Sequence, residues 1–469
     1  MGNIFTWGES ILSDNNTKKE RASFSGKLGY VLAAAGSAIG LGNIWRFPYL
    51  AARYGGGMFL LVYVILVVTF GYTLIIAETS LGRMTKRGPI GAFRRVGAGN
   101  VLQAGGWINA IVPMLIVPYY SVIGGWVLKY LVAYLTEGTE AVSAENYFSS
   151  FIQDSPSVVL YFVIFSAIVF AVILSGVQKG IEQLSKILMP VLLILAIFVA
   201  IYSATRPGAL AGVKYFFVPD FEHFSVMTIV AAMGQMFYSL SIAMGILYTY
   251  GSYLKKDVDI DKTTGQLEFF DTGVAILAGL MIIPSVFSFF DGDISKLHAG
   301  PSLTFITLPQ VFASMRIGTV IAIAFFLMFL LAALTSAISL METSVNTFED
   351  ELHLSRPKCV AVMGVIMGVI GISSSLGYGA WSGVTILGMQ ILDFFDFLTN
   401  SVMMPIAALA TCFLILKHVG FEKIDAEVES SSEFKRRKIF HFVLKYLAPV
   451  FILLILISSI LNAFGILTI

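Results

Sequence analysis

Eleven apolar stretches, each close to the roughly 20 residues that a helix needs to cross a bilayer, constrain this chain more than any other feature. They cover about 28–50, 58–81, 106–135, 157–175, 182–203, 226–252, 268–290, 316–346, 359–376, 386–417 and 440–467. In hydrocarbon a backbone N–H or C=O finds no water, so each crossing has to bond within itself as a helix. The expected fold is an all-α polytopic membrane protein with 11 transmembrane helices, one membrane domain over residues 1–469 with short linkers. Residues 297–314, interrupted by Pro301 and Pro309, are shorter and less apolar and read as a re-entrant or extracellular cap. Only 13% of residues are charged and 57% are hydrophobic, whereas a soluble chain carries about 25% charged residues. The net charge of +1 implies no nucleic-acid partner. Cys359 and Cys412 allow at most one disulfide, and neither they nor the scattered histidines show metal-ligand spacing.

Loop charges orient the chain. With a cytoplasmic N-terminus, the inside segments hold Lys18, Lys19, Arg21 and Lys27, then Arg83, Lys86, Arg87, Arg94 and Arg95, and later the run Lys435 to Lys438. The loop 136–156 has no Lys or Arg and carries Glu137, Glu140, Glu145 and Asp154. An odd number of spans puts the C-terminus outside. The polar first 20 residues lack a signal-peptide core. The expected location is the cell (plasma) membrane.

Two spans are built to break. The first reads Ala35-Gly-Ser-Ala-Ile-Gly-Leu-Gly-Asn-Ile-Trp-Arg-Phe-Pro48, with three glycines, a serine and an asparagine at mid-membrane depth. The sixth carries Gly234-Gln-Met-Phe-Tyr-Ser-Leu-Ser-Ile-Ala-Met-Gly245. Each opens a block of five spans, the pattern of an inverted repeat whose discontinuous helices flank a midplane site. Unwound turns free carbonyls for cations, and half-helix N-termini offer N–H groups to anions. Close helix packing through small residues is the alternative.

The motif Gly36 to Pro48 resembles the first-helix signature of the neurotransmitter:sodium symporter family. Gly55-Gly-Gly57, Gly180-Ile-Glu182 with Pro190, Gly234-Gln235 with Ser239-Leu-Ser241, Leu334-Thr-Ser336 and Phe348-Glu-Asp-Glu-Leu352 match further. The resemblance spans about 21–467 and is to the family's bacterial LeuT-like amino-acid transporters. It implies a LeuT-type 5+5 inverted repeat with broken first and sixth helices: a first repeat over 22–205, its inverted partner over 225–418, and an eleventh span over 439–467.

The resemblance implies two sodium sites. One is formed by the carbonyls of Gly36, Ile39 and Ala332 and the hydroxyls of Thr335 and Ser336. Read without the family, those hydroxyls could equally bond their own helix. The second uses the Ala38 carbonyl, Asn43, Ser239 and Asp271, completed by the substrate carboxylate. Many members have asparagine at the Asp271 position and serine where this chain has Ala275, and bind chloride nearby. Asp271 is therefore expected to replace chloride, with no chloride bound, although Tyr63, Gln235 and Ser239 match other chloride-site positions.

For the substrate, Gly40 stands where monoamine carriers have aspartate, which points to an amino acid bringing its own carboxylate. The implied contacts are the Leu41 and Gly42 amides and the Tyr120 hydroxyl for the carboxylate, and the carbonyls of Ala38, Tyr238 and Ser241 for the ammonium. Ile116, Tyr238, Ser241, Ala243, Met244, Ser339 and Leu340 would surround the side chain. That set holds no charge, so the expected substrate is a neutral hydrophobic amino acid, since an unpaired buried charge is costly. Arg46 and Asp396 match the outer gate; Arg21 and Asp350, with Ser252 and Tyr253, match the inner one, where Phe24 replaces a common tryptophan. The expected function is sodium-coupled amino-acid import by alternating access. A non-transporting membrane amino-acid sensor of the same fold is the alternative. An enzyme is not expected, because no nucleophile–base pair or metal cluster occurs.

Overall fold

The computed structural model describes residues 22–293 and 300–463. Among them, nine helices are long and apolar enough to cross a membrane: Gly57–Thr85, Asn100–Thr136, Ser155–Leu174, Val177–Ala204, Ile260–Phe289, Gly318–Leu352, Arg356–Gly377, Ile391–Val419 and Arg437–Leu461. A tenth span is the pair Lys27–Ala38 and Gly42–Arg53, bent by 52°. The stretch expected as the sixth span forms two shorter helices, Val226–Ser239 and Ile246–Ser252. Spans are numbered below by their eleven sequence stretches.

Burial sorts the helices. The third and eighth spans are 78% and 89% buried, so they form the middle of the molecule. The fourth, fifth, ninth and eleventh are only 28–39% buried and present Ile194, Val365 and Leu454 outward, as a lipid-facing perimeter requires. Pro113 and Pro118 lie inside the third-span helix, which continues past both. Neighbouring helices re-satisfy the groups such prolines free. The sixth span packs backbone to backbone on the second: a Cβ on Gly251 would fall 2.5 Å from the Thr79 carbonyl oxygen.

Local sequence explains the main boundaries. Ser225 and Thr228 form a reciprocal capping box at the start of the sixth span, and the Asp259 side chain accepts from the Lys262 N–H at the start of the seventh. The first span breaks at Ile39–Gly40 and resumes as a wide turn over Gly42–Arg46. The sixth breaks only at Leu240–Gly245, later than the expectation that began at Gly234. Gly234 is helical, and a Cβ there would make only an ordinary contact, 3.9 Å, with the Arg46 guanidinium. Within the stretch expected as a cap, Leu303–Ala313 is a short apolar helix, and residues 297–299 lie outside the described residues. A two-stranded antiparallel hairpin, Thr385–Ile386 with Met389–Gln390, precedes the tenth span.

Candidate functional site

The two breaks face each other. Ser241 Oγ donates to the Ser37 carbonyl at 3.1 Å and lies 3.1 Å from Ser37 Oγ. Around this junction lies a small cavity. Of the sequence-expected substrate residues, Ala38, Leu41, Gly42, Ile116, Tyr120, Tyr238, Ser239, Ser241, Met244 and Leu340 line it. No charged side chain does among the described residues. Its polar end holds Tyr120, whose hydroxyl accepts from the Leu41 N–H at 3.2 Å. Gly40 is a steric necessity: a Cβ there would lie 2.6 Å from Ser336 Oγ and 2.7 Å from the Tyr120 oxygen.

Ala243 and Ser339 do not line the cavity. Ala243 has a left-handed backbone, φ 62°, and its N–H donates to Glu78 Oε1 at 2.9 Å. That bond turns the residue's methyl into the core. Ser339 donates to the Thr335 carbonyl at 3.0 Å and accepts from Tyr250 at 2.8 Å. Sequence reasoning missed Ser37 and Ile246 as lining residues. Ser37 was visible inside the first break; Ile246 carried no signal of its own.

Beside the cavity, oxygens outnumber donors. Ser336 Oγ lies 3.3, 3.0 and 3.3 Å from the carbonyl oxygens of Gly36, Ser37 and Ile39. One hydroxyl hydrogen satisfies one of them. Thr335 Oγ1 adjoins the carbonyls of Leu331 and Ala332, both at 3.1 Å. Such a neutral, hard-oxygen cluster fits a monovalent hard cation better than a divalent one. A second cluster surrounds Asp271, which is fully buried. Its carboxylate accepts from Asn43 Nδ2 at 2.8 Å, the Tyr63 hydroxyl at 2.9 Å and Ser239 Oγ at 3.3 Å. All three donors are neutral, and no cationic side chain bonds the Asp271 carboxyl among the described residues. Gln235 donates to the Gly42 carbonyl at 2.9 Å and braces the same turn.

The two sides of the cavity differ. Tyr238 lines it and also a second cavity lined by Arg46, whose guanidinium carbon lies 5.4 Å from the Tyr238 ring centre. Tyr238 is thus the partition between them. Arg46 and Asp396 line an adjoining cavity of about 310 Å³, but no direct ion pair joins them among the described residues. Asp396 accepts instead from Asn400 at 2.6 Å and from Tyr119 at 3.3 Å. Asn400 stands four residues after Asp396, a helical spacing that was available in the sequence. The opposite side is packed. Phe24, 2% exposed, meets Tyr30, Tyr250 and Tyr253 edge-on, and its N–H donates to the Tyr253 carbonyl. Tyr253 donates to Glu342, which is ion-paired with Arg356. Ser252 donates to its own helix at Thr249. Asp350 accepts from the Gly88 N–H at 3.2 Å and lies 3.6 Å from Arg87; Arg21 lies outside the described residues.

The profile of the sodium:neurotransmitter symporter family matches residues 21–150 and 143–466. The chain belongs to this family. It is 35% identical over 455 residues to an uncharacterized sodium-dependent transporter, YhdH, of Bacillus subtilis (strain 168), covering 96% of this chain and all of that one. Sodium- and chloride-dependent GABA transporter 2 of Homo sapiens is 25% identical over 429 residues, 81% of this chain and 70% of that one. The solved structure of MhsT in complex with L-phenylalanine superposes with a TM-score of 0.85 at 36% identity, covering 94% of this chain and 100% of that chain. The fold is therefore that of the LeuT-type transporters. The chain is a sodium-dependent multi-pass membrane transporter and not an enzyme.

Proposed function

We propose that this symporter imports neutral, apolar L-amino acids together with two sodium ions, independently of chloride. The observation that carries the substrate class is the cavity lining: no charged side chain is among it, and it combines the backbone of Leu41 and Gly42 and the Tyr120 phenol with apolar Ile116, Met244 and Leu340. The carboxylate would meet the Leu41 and Gly42 amides and Tyr120. L-phenylalanine, with which MhsT was solved in complex, is a neutral apolar amino acid of this kind. The oxygen cluster at Thr335 and Ser336 would hold one sodium ion. Ala38, Asn43, Ser239 and Asp271 would hold the other, and the carboxylate of Asp271 would supply the charge that chloride brings elsewhere.

Two ions suffice energetically. Each releases about 2.3 kcal/mol per 100 mV and about 1.4 kcal/mol per tenfold gradient. Together that is about 7 kcal/mol, enough for about a 10⁵-fold substrate gradient. Access would alternate by rocking spans 1, 2, 6 and 7 against the rest, within repeats bounded at 22–205 and 225–418. The protein would sit in the plasma membrane with its N-terminus cytoplasmic and C-terminus outside. The test is uptake of radiolabelled neutral amino acids into proteoliposomes under an inward sodium gradient, with potassium as control. Sodium-driven accumulation of leucine- or phenylalanine-like substrates supports the proposal. Saturable sodium-dependent binding without accumulation means a sensor. No binding across the neutral set sinks the pocket assignment.

A further inference from the structure

Far from the cavity, one arginine joins three elements. Arg436, just before the eleventh span, forms a two-pronged pair with Glu268 of the seventh, Nη2 to Oε2 at 2.7 Å and Nη1 to Oε1 at 3.3 Å. Nη1 also donates to the Val68 carbonyl of the second span at 3.2 Å. Its guanidinium carbon sits 3.6 Å from the Tyr72 ring centre, and the Tyr72 hydroxyl donates to Asp261 of the seventh span. Glu268 is buried, 6% exposed, and the Arg436 side chain is 27% exposed.

The register of the second span explains why this contact matters. Tyr63 and Tyr72 are nine residues apart, which places them on opposite faces of an ideal helix, about 180° apart. Both nevertheless reach the seventh span, Tyr63 to Asp271 and Tyr72 to Asp261. The wide π-turn at Val67–Gly71 lies between them. Such a turn absorbs one extra residue, rotating the later part of the helix by about 100° and loosening its carbonyls. Val68, whose carbonyl Arg436 takes up, lies inside it. On the seventh span, Glu268 stands one helical turn before Asp271, about 4.5 Å along the axis.

We propose that Arg436 is a positioning residue for the ion site at Asp271. By holding the Val68 carbonyl and the Glu268 carboxylate in one fork, it locks the second and seventh spans in the register that brings Tyr63 onto Asp271. This rests on the proposed sodium role of Asp271. Arg436 touches neither ion nor substrate. Its loss frees the π-turn, lets Tyr63 slide off the carboxylate, and weakens sodium binding while the amino-acid cavity keeps its lining.

The experiment measures equilibrium binding of ²²Na⁺ to the purified full chain without amino acid, for wild type, Glu268→Gln, Arg436→Gln and the double variant. Melting temperature in saturating sodium and L-phenylalanine affinity at saturating sodium accompany it. Each single variant is expected to raise half-saturating sodium by about tenfold, the usual effect of losing a group that orients a ligand. The double variant adds little, because both changes cut one link. L-phenylalanine affinity at saturating sodium stays near wild type. A lower melting temperature with unchanged sodium affinity reduces the fork to a structural tie and overturns the proposal. If a glutamine variant does not fold, Arg436→Lys carries the test. It keeps the charge but loses the fork, so unchanged sodium binding by it overturns the proposal equally. Absence of ²²Na⁺ binding in wild type overturns the sodium reading itself, and this inference with it.

Discussion

Replacing Gly40 by alanine tests the site at its tightest point. The added methyl would lie 2.6 Å from Ser336 Oγ and 2.7 Å from the Tyr120 oxygen. Carbon and oxygen normally stay at about 3.3 Å or more even in weak C–H contacts. Both neighbours therefore have to retreat by more than half an ångström. Neither is free to: Ser336 lies among three carbonyls, and Tyr120 accepts from Leu41. Overpacking of this kind costs about 1–3 kcal/mol, which is about a 5- to 150-fold loss in affinity. Because the two retreating groups serve the oxygen cluster and the carboxylate end, sodium and amino-acid affinity should fall together. The assay is scintillation-proximity binding of L-phenylalanine across a sodium titration. A second variant isolates the cause: in Tyr120→Phe the missing oxygen relieves half of the clash, so Gly40→Ala should cost less in that background than in wild type. If Gly40→Ala binds both ligands like wild type, the steric argument and the geometry behind it are wrong. If the cost is the same with and without the Tyr120 hydroxyl, the methyl acts through something other than that contact.

Two further outcomes follow from neighbouring groups. Wild-type uptake should be equal in chloride and in gluconate, and Asp271→Asn should lose uptake in gluconate; full chloride-free activity of that variant would refute the charge-substitution idea. Ala243→Gly should stabilise the protein by at most about 1 kcal/mol, because relief of about 1–2 kcal/mol from a Cβ on left-handed backbone is partly offset by the loss of a buried methyl, about 0.8 kcal/mol. A thermal melt showing no gain, with the Glu78 bond intact, would mean that the strain does not exceed that loss.

Much of the site was legible because its chemistry is local. Gly36 to Asn43 cannot sustain a plain helix, and the same run supplies both the carbonyls near Ser336 and the amide near Asp271. The sixth break was legible in place but not in extent. Gly234 looks like a breaker in the sequence, yet it stays helical beside Arg46. Ala243 and Ser339 fell on the right segments but face elsewhere, because side-chain direction depends on Glu78 and Tyr250, which lie on other spans. Arg46 and Asp396 were legible as charges in an apolar setting. That Asp396 is held by Asn400 and Tyr119 while Arg46 leans on Tyr238 is a property of one conformation, which no residue pattern encodes.

The sequence by itself determined that the chain lives in a bilayer, where its helices run, which two of them break and which oxygen-bearing residues lie at the breaks. Apolar length and the need to satisfy every backbone group in hydrocarbon leave little choice there. Only the tertiary structure decided which faces meet. One π-turn in the second span rotates Tyr72 against Tyr63 so that both reach the seventh, and Arg436, distant in the sequence, takes the carbonyl at that turn. A helix's register against its neighbour depends on contacts far away along the chain, and those exist only once the spans have packed.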